Sequence, residues 1–328
     1  MSAVELVQLW RGGMLESTHL GHAVICDANG IVEAWGDPQA VIFPRSSCKM
    51  LQALPLLESG AADAVGLGTE QLALACASHS GGRMHTERVD AWLKTIGCSE
   101  ADLRCGSHMP RDKDENARLT CTPEQPCQLH NNCSGKHAGF VTLNQRLGGH
   151  DEYVDIDHPV QQAVRAAFEE ETGETTAGWG IDGCSAPNFA CSISGLAQAM
   201  ARFAAPGSGA RGAARQRLVQ AMMRHPELVA GEGRACTDLM RAMGGRVAVK
   251  TGAEAVFIAI IPDRGLGIAL KIQDGGTRGS EAAITALMLR LGLLQPGDPA
   301  ARKYLTGPIL NWRGKDTGHL RAPALAAW

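Results

Sequence analysis

The sequence has no uninterrupted apolar run long enough to cross a bilayer, no basic excess, no Cys-x-x-Cys pair and no internal repeat. Each absence removes a class of protein. Without the apolar run there is no membrane span to build. With 31 Lys plus Arg against 34 Asp plus Glu, a formal charge of -3, and no basic stretch interleaved with aromatics, the chain offers no phosphate track, which argues against nucleic acid as a partner. The stretch Met1 to Trp10 mixes Glu5 and Gln8 into short apolar text and lacks a basic start, so it does not read as a targeting signal. The eleven cysteines are odd in number and mostly placed singly, which fits a reducing compartment better than a disulfide framework. The expected location is therefore cytoplasmic.

What is present is the composition of an ordinary globular protein, with 45% hydrophobic and 20% charged residues in 328. A chain of this length buries a core without help from metals or disulfides. Strand text opens it, with Val4 to Trp10, Gly21 to Cys26, a turn at Asp27-Ala28-Asn29-Gly30, and Ile31 to Trp35. Helical spacing follows in Ser46 to Leu57, Thr69 to Cys76 and Thr86 to Ile96, the last with Thr86 as expected cap and Gly97 as stop. Between Gly106 and Asn132 periodicity fails, which reads as a long functional loop. Further helices are expected from Pro159 to Gly173, around Ser194 to Phe203, Gly212 to Met223 and Thr237 to Met243. Strands return at Arg246 to Lys250, Ala255 to Ile261 and Leu266 to Ile272, and a helix from Ser280 to Leu293 closes the regular structure. The pattern implies an α+β fold, in which one antiparallel sheet from both chain ends (1–45 and 245–328) is flanked by helices and carries an inserted, mostly helical lobe (46–244). A cleft between sheet and lobe is the expected place for a site.

Four segments carry chemistry. In Arg45-Ser46-Ser47-Cys48-Lys49, a helix beginning at Ser46 puts Lys49 one turn on, where an uncharged amine can take a hydroxyl proton; the alternative is a serine cap with the lysine in solvent. Lys250-Thr251-Gly252 ends a strand, where the lysine can reach across an adjacent cleft and the glycine lets a substrate approach the backbone closely; the alternative is an edge-strand lysine followed by a turn. Cys133-Ser134-Gly135-Lys136-His137 together with Asp182-Gly183-Cys184 offers two sulfurs plus a nitrogen from Lys136 or His137, a donor set for zinc. Cys105, Cys121 and Cys127 compose a rival set. Ser78-His79-Ser80-Gly81-Gly82 can bring a second hydroxyl and backbone N–H groups beside a carbonyl oxygen.

Taken together these segments resemble the bacterial asparaginase family of the rhizobial or asparaginase II type. The likeness rests on Phe43-Pro44-Arg45-Ser46-Ser47-Cys48-Lys49, Ala77-Ser78-His79-Ser80-Gly81, His130-Asn131-Asn132-Cys133-Ser134-Gly135-Lys136-His137, Asp182-Gly183-Cys184 and Lys250-Thr251-Gly252-Ala253-Glu254. It departs at Ala255, where a glycine is expected, and shows no Ser-Asp-Asn motif, for which Asn131-Asn132 offers a substitute amide.

The resemblance implies a fold like that of serine beta-lactamases and glutaminases, a homodimer, and hydrolysis of L-asparagine to L-aspartate and ammonia. It also implies two serine–lysine pairs, Ser46 with Lys49 and Ser78 with Lys250, and zinc ligation by Cys133, Lys136 and Cys184. Arg45, Asn132, Asp182 and Cys236 are the expected substrate contacts. Ser46 is assigned the attack because Lys49 shares its helical face. Three other activities fit parts of the pattern: a glutaminase or broader amidase with the same nucleophile, a cysteine amidase using Cys133 with His137, and a non-catalytic zinc-binding protein.

Overall fold

A computed structural model describes residues 2–325, so Met1, the first residue of the stretch read for a targeting signal, lies outside the described residues. The chain divides into two compact units. One contains the sheet and takes the chain up to Ser47, then Cys191–Ala205, and again from Asp238. The other comprises Cys48–Ala190 and Pro206–Thr237.

The sheet unit is built from β1 (Val4–Arg11), β2 (Met14–Asp27), β3 (Gly30–Trp35), β4 (Ala248–Gly252), β5 (Val256–Ile261), β6 (Leu266–Ile272), β7 (Pro308–Leu310) and β8 (Asp316–Arg321). All pairings are antiparallel, in the order β7-β8-β1-β2-β6-β5-β4, with β3 beside β2. The two chain ends meet at β2 and β6, where Gly21 faces Ile272 and Cys26 faces Gly267. The helices Ile193–Ala204 and Thr277–Arg290 pack on this sheet. That cover explains why all six residues of β5 are buried, the large apolar ones contributing roughly 1.5–3 kcal/mol each. Helix Ile193–Ala204 comes so close that a Cβ on Gly267 would strike the backbone of Ala201. Regular structure does not end at Leu293 as expected. β7 and β8 follow, and β8 pairs with β1 through Leu320 opposite Leu9.

The helical unit packs around Ser134–Leu147, whose residues from Ser134 to Leu143 are all buried. Trp92 of helix Arg83–Thr95 donates to Thr142 Oγ1 at 3.1 Å. Helix Gly209–Arg224 is tied to Pro159–Thr172 by Arg215, whose Nη2 lies 2.7 Å from the fully buried Glu171 carboxylate. Three expectations are modified here. The helix expected from Ser46 breaks into a 3-10 turn, Arg45–Cys48, then Lys49–Gln52 and Leu54–Glu58, the last with Pro55 in its first turn. Thr86 lies inside a helix that already starts after Gly82. The long loop holds a helix, Lys113–Thr120, whose Glu115 N–H is capped by Asp112 Oδ1 at 3.0 Å.

Among the described residues no helix is long and apolar enough to cross a membrane. All eleven cysteines are free thiols.

Candidate active site

Glycine places the central helix of the helical unit. A Cβ at Gly135 would run into Leu74 O, so only glycine lets Ser134–Leu147 press on Thr69–Ala75 and the chain beyond it. That approach sets Cys133 at the helix cap, where Lys49 bridges it to Ala77-Ser78. Lys49, only 1% exposed, reaches the same place: its Nζ contacts Ala77 O and lies 3.1 Å from both Ser78 Oγ and Cys133 Sγ. The lysine of the Ser46 turn thus holds the hydroxyl of Ser78.

The segment Ser78–Gly81 is pinned on both sides. Ser78 N–H donates to Val229 O at 2.9 Å, and His79 N–H to Asn132 O at 3.2 Å. Gly81 takes φ +73°, and a side chain there would meet His130 O at 2.6 Å. Its N–H donates to His79 Nδ1 at 3.1 Å. The N–H groups of Ser78, His79 and Gly81 are therefore already engaged. Because His79 Nδ1 accepts, its Nε2 carries the proton and donates to Ser134 Oγ at 2.9 Å, which in turn donates to Leu129 O. Burial first, then neighbouring cations, holds His79 well below its ordinary pKa, so it is a neutral strut.

Cys184 is carried in by the turn Asp182–Ala186, where Ser185 adopts φ +70° and Asp182 N–H donates to Ala186 O at 2.9 Å. Lys136 Nζ donates to Cys184 Sγ at 3.0 Å. The hydrogen bond from Cys133, helped by the charges of Lys136 and Lys49, holds Cys184 far below the usual thiol range against the cost of burial. The same hydrogen bond, with burial, pushes Cys133 up to about 12. Burial pulls Lys136 down, but Cys184, Cys133 and Asp182 outweigh it and keep its ammonium protonated. Asn132 Oδ1 lies 2.9 Å from Cys133 Sγ. Asp182 Oδ1 accepts from Gly183 N–H at 2.6 Å. Cys236 is buried near the start of helix Ala235–Ala242.

A cysteine nucleophile served by His137 is not what this arrangement provides. His137 Nδ1 pairs with Tyr153 OH at 2.9 Å, its Nε2 is buried with no partner, and Cys133 keeps its proton. Among the described residues no three His, Cys, Asp or Glu side chains converge as a metal set, which leaves Cys105, Cys121 and Cys127 as separate thiols. A metal at this site would need Lys136 as its third donor. The chemistry of the donors fits zinc: the hydrogen bond from Cys133 and the nearby lysines favour the thiolate of Cys184, and the amine in contact with it becomes a ligand when it gives up its proton.

In the sheet unit, Arg45, at φ +53°, and Ser46 open the turn that ends at Cys48. Lys250 on β4 is fully buried, and its Nζ donates to Thr251 O at 2.6 Å. Gly252 shows why this motif needs glycine: a Cβ there would sit 2.6 Å from Pro44 O and 3.1 Å from Ser47 N. Its absence lets the Lys250 strand lie against the Ser46 turn.

Comparison with known proteins gives one family and a set of similar solved structures. A beta-lactamase from Mycobacterium bovis aligns over 82% of this chain and 94% of its own, at 12% identity and TM-score 0.47. The octameric penicillin-binding protein homologue from Pyrococcus abyssi aligns over 90% of this chain and 80% of its own, at 11% identity and TM-score 0.47. A putative beta-lactamase from Bacteroides dorei covers 81% and 92%, at 11% identity and TM-score 0.45. No curated protein sequence matches. The model of the L-asparaginase II family matches residues 7–322, a span that holds every segment described above. The chain belongs to the L-asparaginase II family.

Proposed function

We propose that this chain hydrolyses the side-chain amide of L-asparagine to L-aspartate and ammonia. The observation that carries the reading is Lys49, a buried lysine with its amine 3.1 Å from the hydroxyl of Ser78, in a chain whose family is asparaginase. Ser46, one turn ahead of Lys49 in the chain, supplies the attacking oxygen. Its Oγ adds to the amide carbon while its proton passes to the Lys49 amine. The C–N bond then breaks, the nitrogen leaves as ammonia with that proton, and an aspartyl ester remains. Water, losing a proton to the same amine, cleaves the ester. Lys250 is the second lysine of the reaction, paired with Ser78 as the family likeness implies.

Cys133, Lys136 and Cys184 are proposed to hold zinc, which when bound supplies a fixed positive charge and joins the Cys133 and Cys184 segments. Without it, the Lys136–Cys184 ion pair performs the joining. Arg45, Asn132, Asp182 and Cys236 remain the proposed substrate contacts, and the protein is proposed to act as a cytoplasmic homodimer. The test is ammonia release from L-asparagine and L-glutamine by wild type, Ser46→Ala, Ser78→Ala and Lys49→Met, with folding checked by circular dichroism. Asparagine should be the better substrate, and Ser46→Ala and Lys49→Met should each lose at least about a thousandfold in kcat. Wild-type turnover in Lys49→Met would overturn the mechanism. A preference for glutamine would make the chain a glutaminase.

A further inference from the structure

Two arginines of the helical unit take no part in the chemistry above. The loop that carries one of them is laid along the Ser78 segment: Ser80 Oγ donates to Ala230 O at 2.9 Å, next to the Ser78 N–H bond to Val229 O. Gly231 follows at φ +117°, where a side chain would collide with Ser80 Oγ. From behind, Thr237 Oγ1 pins the loop by donating to Gly231 O at 2.7 Å. Arg234 stands three residues beyond Gly231. The second arginine comes with another segment, since Asp112 N–H donates to Ser80 O at 2.9 Å and Arg111 immediately precedes it. The segments that carry the two arginines are thereby held against the Ser78–Ser80 stretch by backbone, glycine and hydroxyl contacts.

Arg234 Nη1 is fully buried and has no hydrogen-bond acceptor. An unsatisfied buried donor is costly, and more so on a charged group, so it marks a place where an acceptor is missing. The side chain of Arg111 is largely exposed, yet its charged end lies low enough that burial, and then the positive charge of Arg234, pull its pKa down. Two guanidinium groups whose positive charges act on one another, one with a buried donor to spare, are stabilised by an incoming carboxylate.

We propose that Arg234, with Arg111 beside it, binds the α-carboxylate of the substrate and so restricts the enzyme to amides of free amino acids. The proposal rests on the asparaginase reading and adds Arg234 to the substrate contacts proposed above. It predicts discrimination by what the substrate carries away from the reacting bond. Removing one half of a bidentate guanidinium–carboxylate pair leaves the other half buried and unpaired, which is why the expected effect is large.

The experiment compares two substrates and two ligands. Arg234→Gln should lower kcat/KM for L-asparagine on the order of 100-fold, mainly through KM, while 3-aminopropanamide, which lacks the α-carboxylate, changes by less than about threefold. Arg111→Gln, at an exposed position, should lower kcat/KM for asparagine by roughly tenfold with the same substrate dependence. Equal losses on both substrates, or no loss on either, would overturn the proposal. Calorimetric titration with L-aspartate and with 3-aminopropanoate separates this claim from the reaction itself. If wild type binds L-aspartate far more tightly than 3-aminopropanoate, and Arg111→Gln weakens only the former, the carboxylate site stands even where no ammonia is released; in that case the asparaginase reading alone falls. Failure of folded wild type to distinguish the two ligands sinks the site.

Discussion

In β5 of the sheet unit the buried residues from Val256 to Ile261 are all apolar, whereas the buried run of the central helix of the helical unit, Ser134 to Leu143, includes Lys136, His137 and Thr142. The interior at β5 needs only volume and shape. The helical interior buries charged and polar groups that pair with one another, and several of those pairs form the site: Lys136 on Cys184, His79 on Ser134, Lys49 on Ser78. Burial that is apolar stabilises on its own, while burial that is polar is tolerated only as a network and serves chemistry.

The larger way to break that contrast is acid. His79 and His85 stack in the helical unit with ring centroids 4.8 Å apart, and burial before any other cause lowers both below their ordinary value of 6.5. Unfolded chains protonate these rings near 6.5 while the folded protein does not. Stability is therefore intact above that pH and falls as pH drops from about 6.5 towards the folded pKa values, by up to about 1.4 kcal/mol per pH unit for each histidine. Urea unfolding between about pH 7 and pH 5.5 should show this slope, and His79→Gln should remove about 1.4 kcal/mol per unit of it. An unchanged slope in that variant would mean the ring is already charged in the fold.

The smaller way concerns the sheet unit, where strain sits in backbone instead of charge. Ala255, just before β5, adopts φ +56°. An L-residue there costs about 1–2 kcal/mol, of which glycine's greater freedom in the unfolded chain offsets roughly half. Ala255→Gly should raise stability by about 0.5–1 kcal/mol in urea unfolding, with ammonia release unaltered. Lower stability would show that the methyl group packs more than the backbone strains.

That position also shows what the sequence could reveal. The departure at Ala255 was visible as a single missing glycine, and the structure supplies its reason in a left-handed turn. The sheet pairing of the chain ends was legible because β1, β2, β5 and β6 are apolar text bounded by turns. β8 was not, since Asp316–Arg321 is mostly polar and owes its place to pairing with β1. The helix Ser134–Leu147 hid for the opposite reason: with Lys136, His137 and Thr142 turned inward, it has no apolar stripe against a polar face. The segments Ser46–Lys49, Ser78–Gly82 and Cys133–His137 were readable as chemistry. That Lys49 meets Ser78, and that Arg234 carries an unpaired buried donor, depends on contacts between distant segments that no spacing encodes.

The most direct measurement is to mix wild-type protein with L-asparagine, quench in acid within single turnovers, and map any covalent adduct by mass spectrometry. The account predicts an aspartyl ester on the peptide carrying Ser46, absent in Ser46→Ala. A thioester on Cys133, or ammonia released at full rate with no serine ever labelled, would contradict it.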